Sequence, residues 1–445
     1  MPMKTMRRLL AGLAIAVGST AGFALRGQGL ADYESPPVSY SAATPRDAFA
    51  VLQKKIAAGE IALAGEGKQA VLAVLEALDV PVASQTLVFS KTSLQRDRIR
   101  PARPRALYFS DSVYVGWVPG GLIEIAAVDP TLGPIFYALD PAALRRGHAA
   151  ARRDDDCLRC HGGTFVREIP GVFVRSLFAD GKGEPLLRHG SMIVEDDTPF
   201  EQRWGGWYVT GFRGTATHRG NAFATEKGDQ LVFAPATARP DELAEYFDTS
   251  GYLRPTSDVA ALLVFEHQLA MQNALTRAGL SCQKMIAYQR GLQTAFKEPL
   301  TDEPAYDSVK SVFAGAVQSV VDRLLFRGAA ALPDGVVGGA EFRGGFAASA
   351  PRSRAGHALK DLDLHGKIFA QRCSYLIYSE SFRALPPPLK TRILDRLQAV
   401  LLGREPGERY AYLPAEERAR IYAILVETHP DAQARWTADA APGRK

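Results

Sequence analysis

Cys157, Leu158, Arg159, Cys160 and His161 are followed by Gly162 and Gly163, so two thiols stand three positions apart with an imidazole directly after the second. That spacing meets the covalent demand of a c-type haem. The thiols add across the two vinyl groups on one edge of the porphyrin, and the adjacent histidine reaches the iron. Other uses of two close cysteines ask for a different setting. A thioredoxin-type redox pair follows an apolar strand, whereas Asp154, Asp155 and Asp156 lead into this motif. A zinc site needs two more ligands at metal spacing, and the chain has neither a second C-x-x-C nor an H-x-x-x-H. A disulfide between Cys157 and Cys160 closes a loop too short to stabilise much. The expectation is one covalent haem c on Cys157, Cys160 and His161, with His161 as proximal iron ligand.

The opposite face of the iron then decides the function. A sixth ligand from Met or His makes an electron carrier, and an open position makes a ligand binder or a peroxidase-like enzyme. His267 and Met271 are the first candidates, because they share a helix face with Leu263, Val264 and Ala274 at steps of three and four. His218, in a turn beyond an aromatic strand, is the next. Each has a plainer reading, as a hydrogen-bonded core histidine, a gap-filling methionine and a surface histidine respectively. Arg175, Arg203, Arg213 and Arg219 are candidates to pair with haem propionates, since a guanidinium fork matches a carboxylate. Glu266, beside His267, is a candidate acid for a peroxidase-like site.

The N-terminus suits this chemistry. Lys4, Arg7 and Arg8 precede an apolar stretch from Leu9 to Val17, and the small residues Ser19, Ala21, Gly22 and Ala24 follow. This reads as a cleaved secretory signal and places the mature protein in the periplasm or outside the cell. The apolar stretch is too short to span a bilayer, and no other stretch in the chain is long and apolar enough. Removing Lys4, Arg7 and Arg8 lowers the formal net charge from +5 to +2. That balance argues against nucleic acid as a partner and leaves a redox protein or a small oxidant. Cys282 and Cys373 either pair, as an oxidising compartment permits, or stay as buried thiols.

The surrounding pattern predicts an α+β protein. After a signal over 1–24 and an extended lead-in over 25–43, a haem-bearing α+β region covers 44–240. It opens with a helix capped by Thr44 with Pro45 at its first position, and a second helix over about 69–78. Short β-branched and aromatic runs then repeat between Gly, Pro and Asp turns, at 87–89, 106–109, 113–117, 122–125 and 134–137, which predicts a meander. Residues 144–153 read as a helical turn delivering the motif, and strands resume at 172–178, 191–194 and 204–211. Trp204, Trp207 and Tyr208 on the glycine-rich last run are placed either to wall a porphyrin or to fill a core. The basic loop from Arg96 to Arg105 is a solvated surface, with propionate binding or an acidic redox partner as the alternative. A mainly helical region follows over 241–430, with helices over 258–277, 302–325, 387–402 and 415–426, a Gly/Ala/Arg-rich loop over 327–356 and a frayed tail from 431 to 445.

Several of these segments together carry a resemblance: Leu87 to Gln95, Pro104 to Phe109, the haem motif, Pro170-Gly171-Val172, Arg203 to Gly211, and Cys373 to Ser379. In this series the chain resembles a largely uncharacterised family of exported bacterial proteins with a single c-type haem motif, over most of its mature length. The resemblance implies haem attachment at Cys157, Cys160 and His161 and says little about substrate. The small helical cytochrome c pattern is not present, nor is the second C-x-x-C-H of two-haem peroxidases. Three roles follow as expectations: periplasmic electron transfer, catalysis of peroxidase or oxidase type at an open iron, and haem-based sensing or binding.

Overall fold

The computed structural model describes residues 32–142, 152–153 and 157–438. The expected signal peptide, the first part of the lead-in, the last residues of the tail and most of the 144–153 turn lie outside them.

The fold is α+β. Helices α1 (Ala48–Ala57) and α2 (Lys68–Ala77) come first. Asp47, and not Thr44, caps α1: its carboxylate accepts from the backbone N–H groups of Phe49 and Ala50 and from the Tyr137 hydroxyl at 2.7 Å. The cap therefore also ties the helix to the sheet beneath it.

Strands β1 (Thr86–Val88), β2 (Arg105–Phe109), β3 (Val113–Trp117), β4 (Ile123–Asp129), β5 (Gly133–Leu139) and β6 (Arg152–Arg153) follow. β7 (Val174–Leu177) and β8 (Ser191–Val194) form a hairpin, as do β10 (Ala224–Lys227) and β11 (Gln230–Phe233), while β9 (Trp207–Tyr208) joins the main sheet. That sheet has seven antiparallel strands in the order β6-β5-β4-β3-β2-β1-β9. Arg152 and Arg153, expected within a helical turn, instead pair with Ala138 and Tyr137 at the sheet edge. Of the glycine-rich run 204–211, only two residues are strand.

Alternation along the strands separates two cores. Ala106, Tyr108, Val115, Ile125, Ile135 and Tyr137 face α1 and α2. Leu107, Phe109, Tyr114 and Val128 face the C-terminal helices. Covering both faces explains why all five residues of β3 are buried, which is also why these strands read as continuous apolar runs.

The helical part is α3 (Val259–Phe296), α4 (Asp307–Leu324), α5 (Ala340–Ala348), α6 (Pro387–Leu401), α7 (Ala415–Thr428) and α8 (Pro430–Ala438). Three differences from expectation have identifiable causes. α3 runs 38 residues and passes through Gly279, whose position leaves ordinary contact with Leu385. α5 lies inside the segment expected to be a long loop, because Phe342 is buried, stacks on Phe346 and packs tilted against Phe109 amid small residues that hide the pattern. α8 replaces part of the frayed tail, anchored by Trp436 stacked on Tyr422 at 5.2 Å. Among the described residues, no helix is long and apolar enough to cross a membrane. Cys282 and Cys373 are separate buried thiols, each pushed up to about 12 by burial.

Candidate haem c site

The motif forms one helical turn, Leu158–His161, with Cys157 at its start and Gly162 closing it. No disulfide joins Cys157, which is half-buried, to Cys160, which is exposed. Gly162 is required by close approach: a Cβ there would collide with the Tyr33 hydroxyl and come within 2.9 Å of the Leu158 carbonyl oxygen.

The His161 ring sits between two phenyl groups, Phe136 of β5 at 4.9 Å and Phe173 just ahead of β7 at 5.2 Å. Its Nδ1 lies 3.0 Å from the carbonyl oxygen of Gly171, and the Gly171 N–H donates back to the His161 carbonyl at 2.8 Å. A carbonyl only accepts, so Nδ1 carries the proton and Nε2 keeps a bare lone pair. This is how a protein orients an imidazole for a metal. Desolvation, opposed by the Gly171 hydrogen bond, pushes the imidazole down to about 4, so it is neutral at physiological pH.

The Gly171 carbonyl is held in place from a distance. Asn273 of α3 accepts from the Val172 N–H at 3.3 Å and donates to the Val172 carbonyl at 2.9 Å. Arg277, one turn on, donates to the carbonyls of Arg167 and Val166. Arg167 and Glu168 adopt left-handed backbone, which folds the connection tightly enough to bring Gly171 back to His161. A Cβ at Gly171 would sit 2.7 Å from the Asn273 oxygen. Gly171, which entered only within the Pro170-Gly171-Val172 resemblance, and Asn273 were not foreseen as site residues.

Charged groups border the site. Arg105 and Glu124 pair across β2 and β4 above Gly116 on the sheet face that carries Phe136, and Arg105 Nε is buried with no hydrogen-bond partner. Arg175 stands beside Cys160, held by the Ser191 hydroxyl at 2.6 and 3.0 Å and lying 4.7 Å over the Phe165 ring. Of the four arginines considered for propionates, Arg175 alone borders the motif. Arg203 is buried against Glu266, Arg213 pairs with Asp241, and Arg219 covers the Phe178 ring. Within the basic loop Arg105 turns inward, while Arg96, Arg98 and Arg100 are exposed.

The donor set fits a haem c. Two thiols on one turn, a neutral imidazole with Nε2 uncommitted, phenyl groups that line it and two nearby guanidinium groups that would pair with haem carboxylates occupy one patch. Among the described residues no group of three His, Cys, Asp or Glu side chains forms a metal-binding cluster.

The candidates for the sixth ligand are placed elsewhere. His267 is fully buried, with Nδ1 donating to Asp196 at 3.0 Å and Nε2 bonded to the Ser374 hydroxyl at 2.8 Å. Its ring stacks on Phe326 at 4.1 Å. The Ser374, His267 and Asp196 chain has the connectivity of a hydrolytic triad, but Ser374 is 0% exposed and also caps the turn after it by accepting from the Leu376 N–H. Met271 fills the helical core. His218 is caged by Phe200, Trp204 and Phe212, and its Nδ1 accepts from the Gly220 N–H. Trp204 donates to Glu266 at 2.6 Å and Tyr208 to the Pro101 carbonyl, while Trp207 donates to the Arg175 carbonyl behind the site.

Asp196 makes the His267 network pH-sensitive. Burial opposes its ionisation, but His267 and Arg323 outweigh burial and hold the carboxyl well below its ordinary value of 3.8. A depressed carboxyl stabilises the fold fully above that ordinary value and loses the contribution as pH falls below it. Asp196→Asn is expected to cost about 1–3 kcal/mol at neutral pH. Urea midpoints taken between pH 5 and pH 3 should fall less steeply than in the unsubstituted protein; parallel slopes would exclude this role for Asp196.

No family model, curated protein or solved structure matches the chain.

Proposed function

We propose that the protein carries one haem c on Cys157, Cys160 and His161 and uses it for electron transfer in the periplasm. The observation that supports this best is the bond from His161 Nδ1 to the Gly171 carbonyl, which leaves the Nε2 lone pair available to bind a metal. When bound, the haem supplies a one-electron couple that the polypeptide lacks. The chain does the rest. Phe136 and Phe173 keep water from the imidazole faces and fix the ring plane, and Asn273 holds the carbonyl that fixes its tautomer. Arg175 is poised for a propionate carboxylate. Cys160 is exposed, so a haem joined to it would present that edge toward solvent, within reach of a partner's redox centre.

A second reading has its own support. His267, Met271 and His218 are all committed to the core, which favours catalysis or sensing at a distal position open to a small oxidant or other ligand. Spectra separate the readings. Haem should stay with the exported protein after acid-acetone extraction, and its loss would end the covalent assignment. If the reduced protein resists carbon monoxide, the carrier reading stands. Rapid carbon monoxide binding would overturn it, and peroxide turnover with a dye donor would then distinguish enzyme from sensor.

A further inference from the structure

A cavity of about 470 Å3 lies apart from Cys157–His161, lined by the segment 326–332 after α4 and by the turn 366–372. Its size is that of small-molecule sites, roughly 300–1,000 Å3. The two parts of its wall differ in chemistry. Phe326, Leu332, Ile368 and Phe369 form a buried apolar floor, while Arg327, Lys367, Arg372 and Arg409 form a cationic rim. The one acid facing the cavity, Asp196, is already engaged by His267 and Arg323.

The rim is organised from behind. Glu417 binds Nε and Nη2 of Arg372 at 3.2 and 2.6 Å, and Asp322 binds Nε and Nη2 of Arg409 at 3.0 and 2.5 Å. Each guanidinium is therefore locked along one edge, and its Nη1 has no hydrogen-bond partner among the described residues. Lys367 is taken up by the Ala370 carbonyl at 2.8 Å and lies near Asp363 and Glu417. Arg327 is exposed and has no ion pair among the described residues. Asp322, Asp363 and Glu417 thus balance three of the four rim cations and leave the site one positive charge in excess.

We propose that this cavity binds an organic monocarboxylate with an apolar body. Arg327 and the open edges of Arg372 and Arg409 hold the carboxylate, since planar guanidinium donors match its two oxygens. The hydrocarbon part lies against Phe326, Leu332 and Phe369, and its own apolar surface leaves water. A single excess charge selects a monoanion, and the apolar floor selects against a fully hydrated inorganic one.

Calorimetric titration of the full-length exported protein with octanoate, octanol and sulfate tests this without using the haem signal. Octanoate should bind about tenfold or more tightly than octanol, and sulfate should not compete at equal concentration. Arg327→Gln and Ala329→Glu, both exposed and outside the two cores, should each weaken octanoate about tenfold while the far-ultraviolet spectrum stays unchanged. Equal affinity for octanol, sulfate binding as tight as octanoate, no octanoate binding at millimolar concentration, or octanoate affinity unmoved by both variants would each overturn the proposal.

Discussion

The double variant Cys157→Ser/Cys160→Ser is expected to be exported as a colourless protein that retains no haem through acid-acetone extraction or a denaturing gel. A hydroxyl is a far poorer nucleophile toward a vinyl group than a thiolate, so the bonds that make attachment permanent do not form. Either single variant should keep one thioether and one unreacted vinyl group, and so shift the pyridine haemochrome band toward that of free haem. The polypeptide should still fold, because neither cysteine belongs to either hydrophobic core. His161→Ala separates attachment from ligation: the thioethers form, the iron loses its imidazole, and added imidazole restores the spectrum. Covalent haem in the double variant would sink the assignment.

The second large effect lies in the buried pair beside His267. Glu266 and Arg203 are both about 1% exposed and meet at 2.6 Å; the other Glu266 oxygen accepts from the Trp204 indole at 2.6 Å. Arg203 also donates to the carbonyls of Thr198, Glu195 and Asp196, so it ties the segment after β8 to α3. Glu266→Ala strands a guanidinium in the interior and is expected to destabilise the fold by about 3–5 kcal/mol, read from denaturant midpoints. Glu266→Leu combined with Arg203→Met should recover much of that loss, because the charge and its partner leave together. A single-variant cost below about 1 kcal/mol would show that the pair is not desolvated as the structure has it.

The depth of that pair also bears on Glu266 and His267 as candidates for the distal side of a haem. On paper an acid beside a histidine on an apolar helix face suits a distal pocket. In the fold the same face points into the helical core, where Arg203, Asp196 and Ser374 complete its hydrogen bonds. Asn273 and Arg277, a few positions further along α3, are the residues that reach the haem-motif loop, and their polarity gave no reason to single them out. Helical periodicity shows which residues share a face but not what that face meets. In the same way the alternating runs from 87 to 137 disclosed a meander, while burial of both sheet faces depended on helices at opposite ends of the chain.

What the amino-acid sequence determined by itself is the chemistry that needs only neighbours. Cys157, Cys160 and His161 lie within five residues, one helical turn presents all three, and no distant segment is needed to define the spacing on which the proposed attachment rests. The α+β class was legible for the same reason, since strand and helix periods are local. Only the tertiary structure decided which carbonyl sets the His161 tautomer, that Phe136 and Phe173 enclose its ring, and that Asn273, more than a hundred positions away, holds the loop. Those contacts join segments far apart in sequence, and they depend on how whole elements pack rather than on the spacing of residues within any one of them.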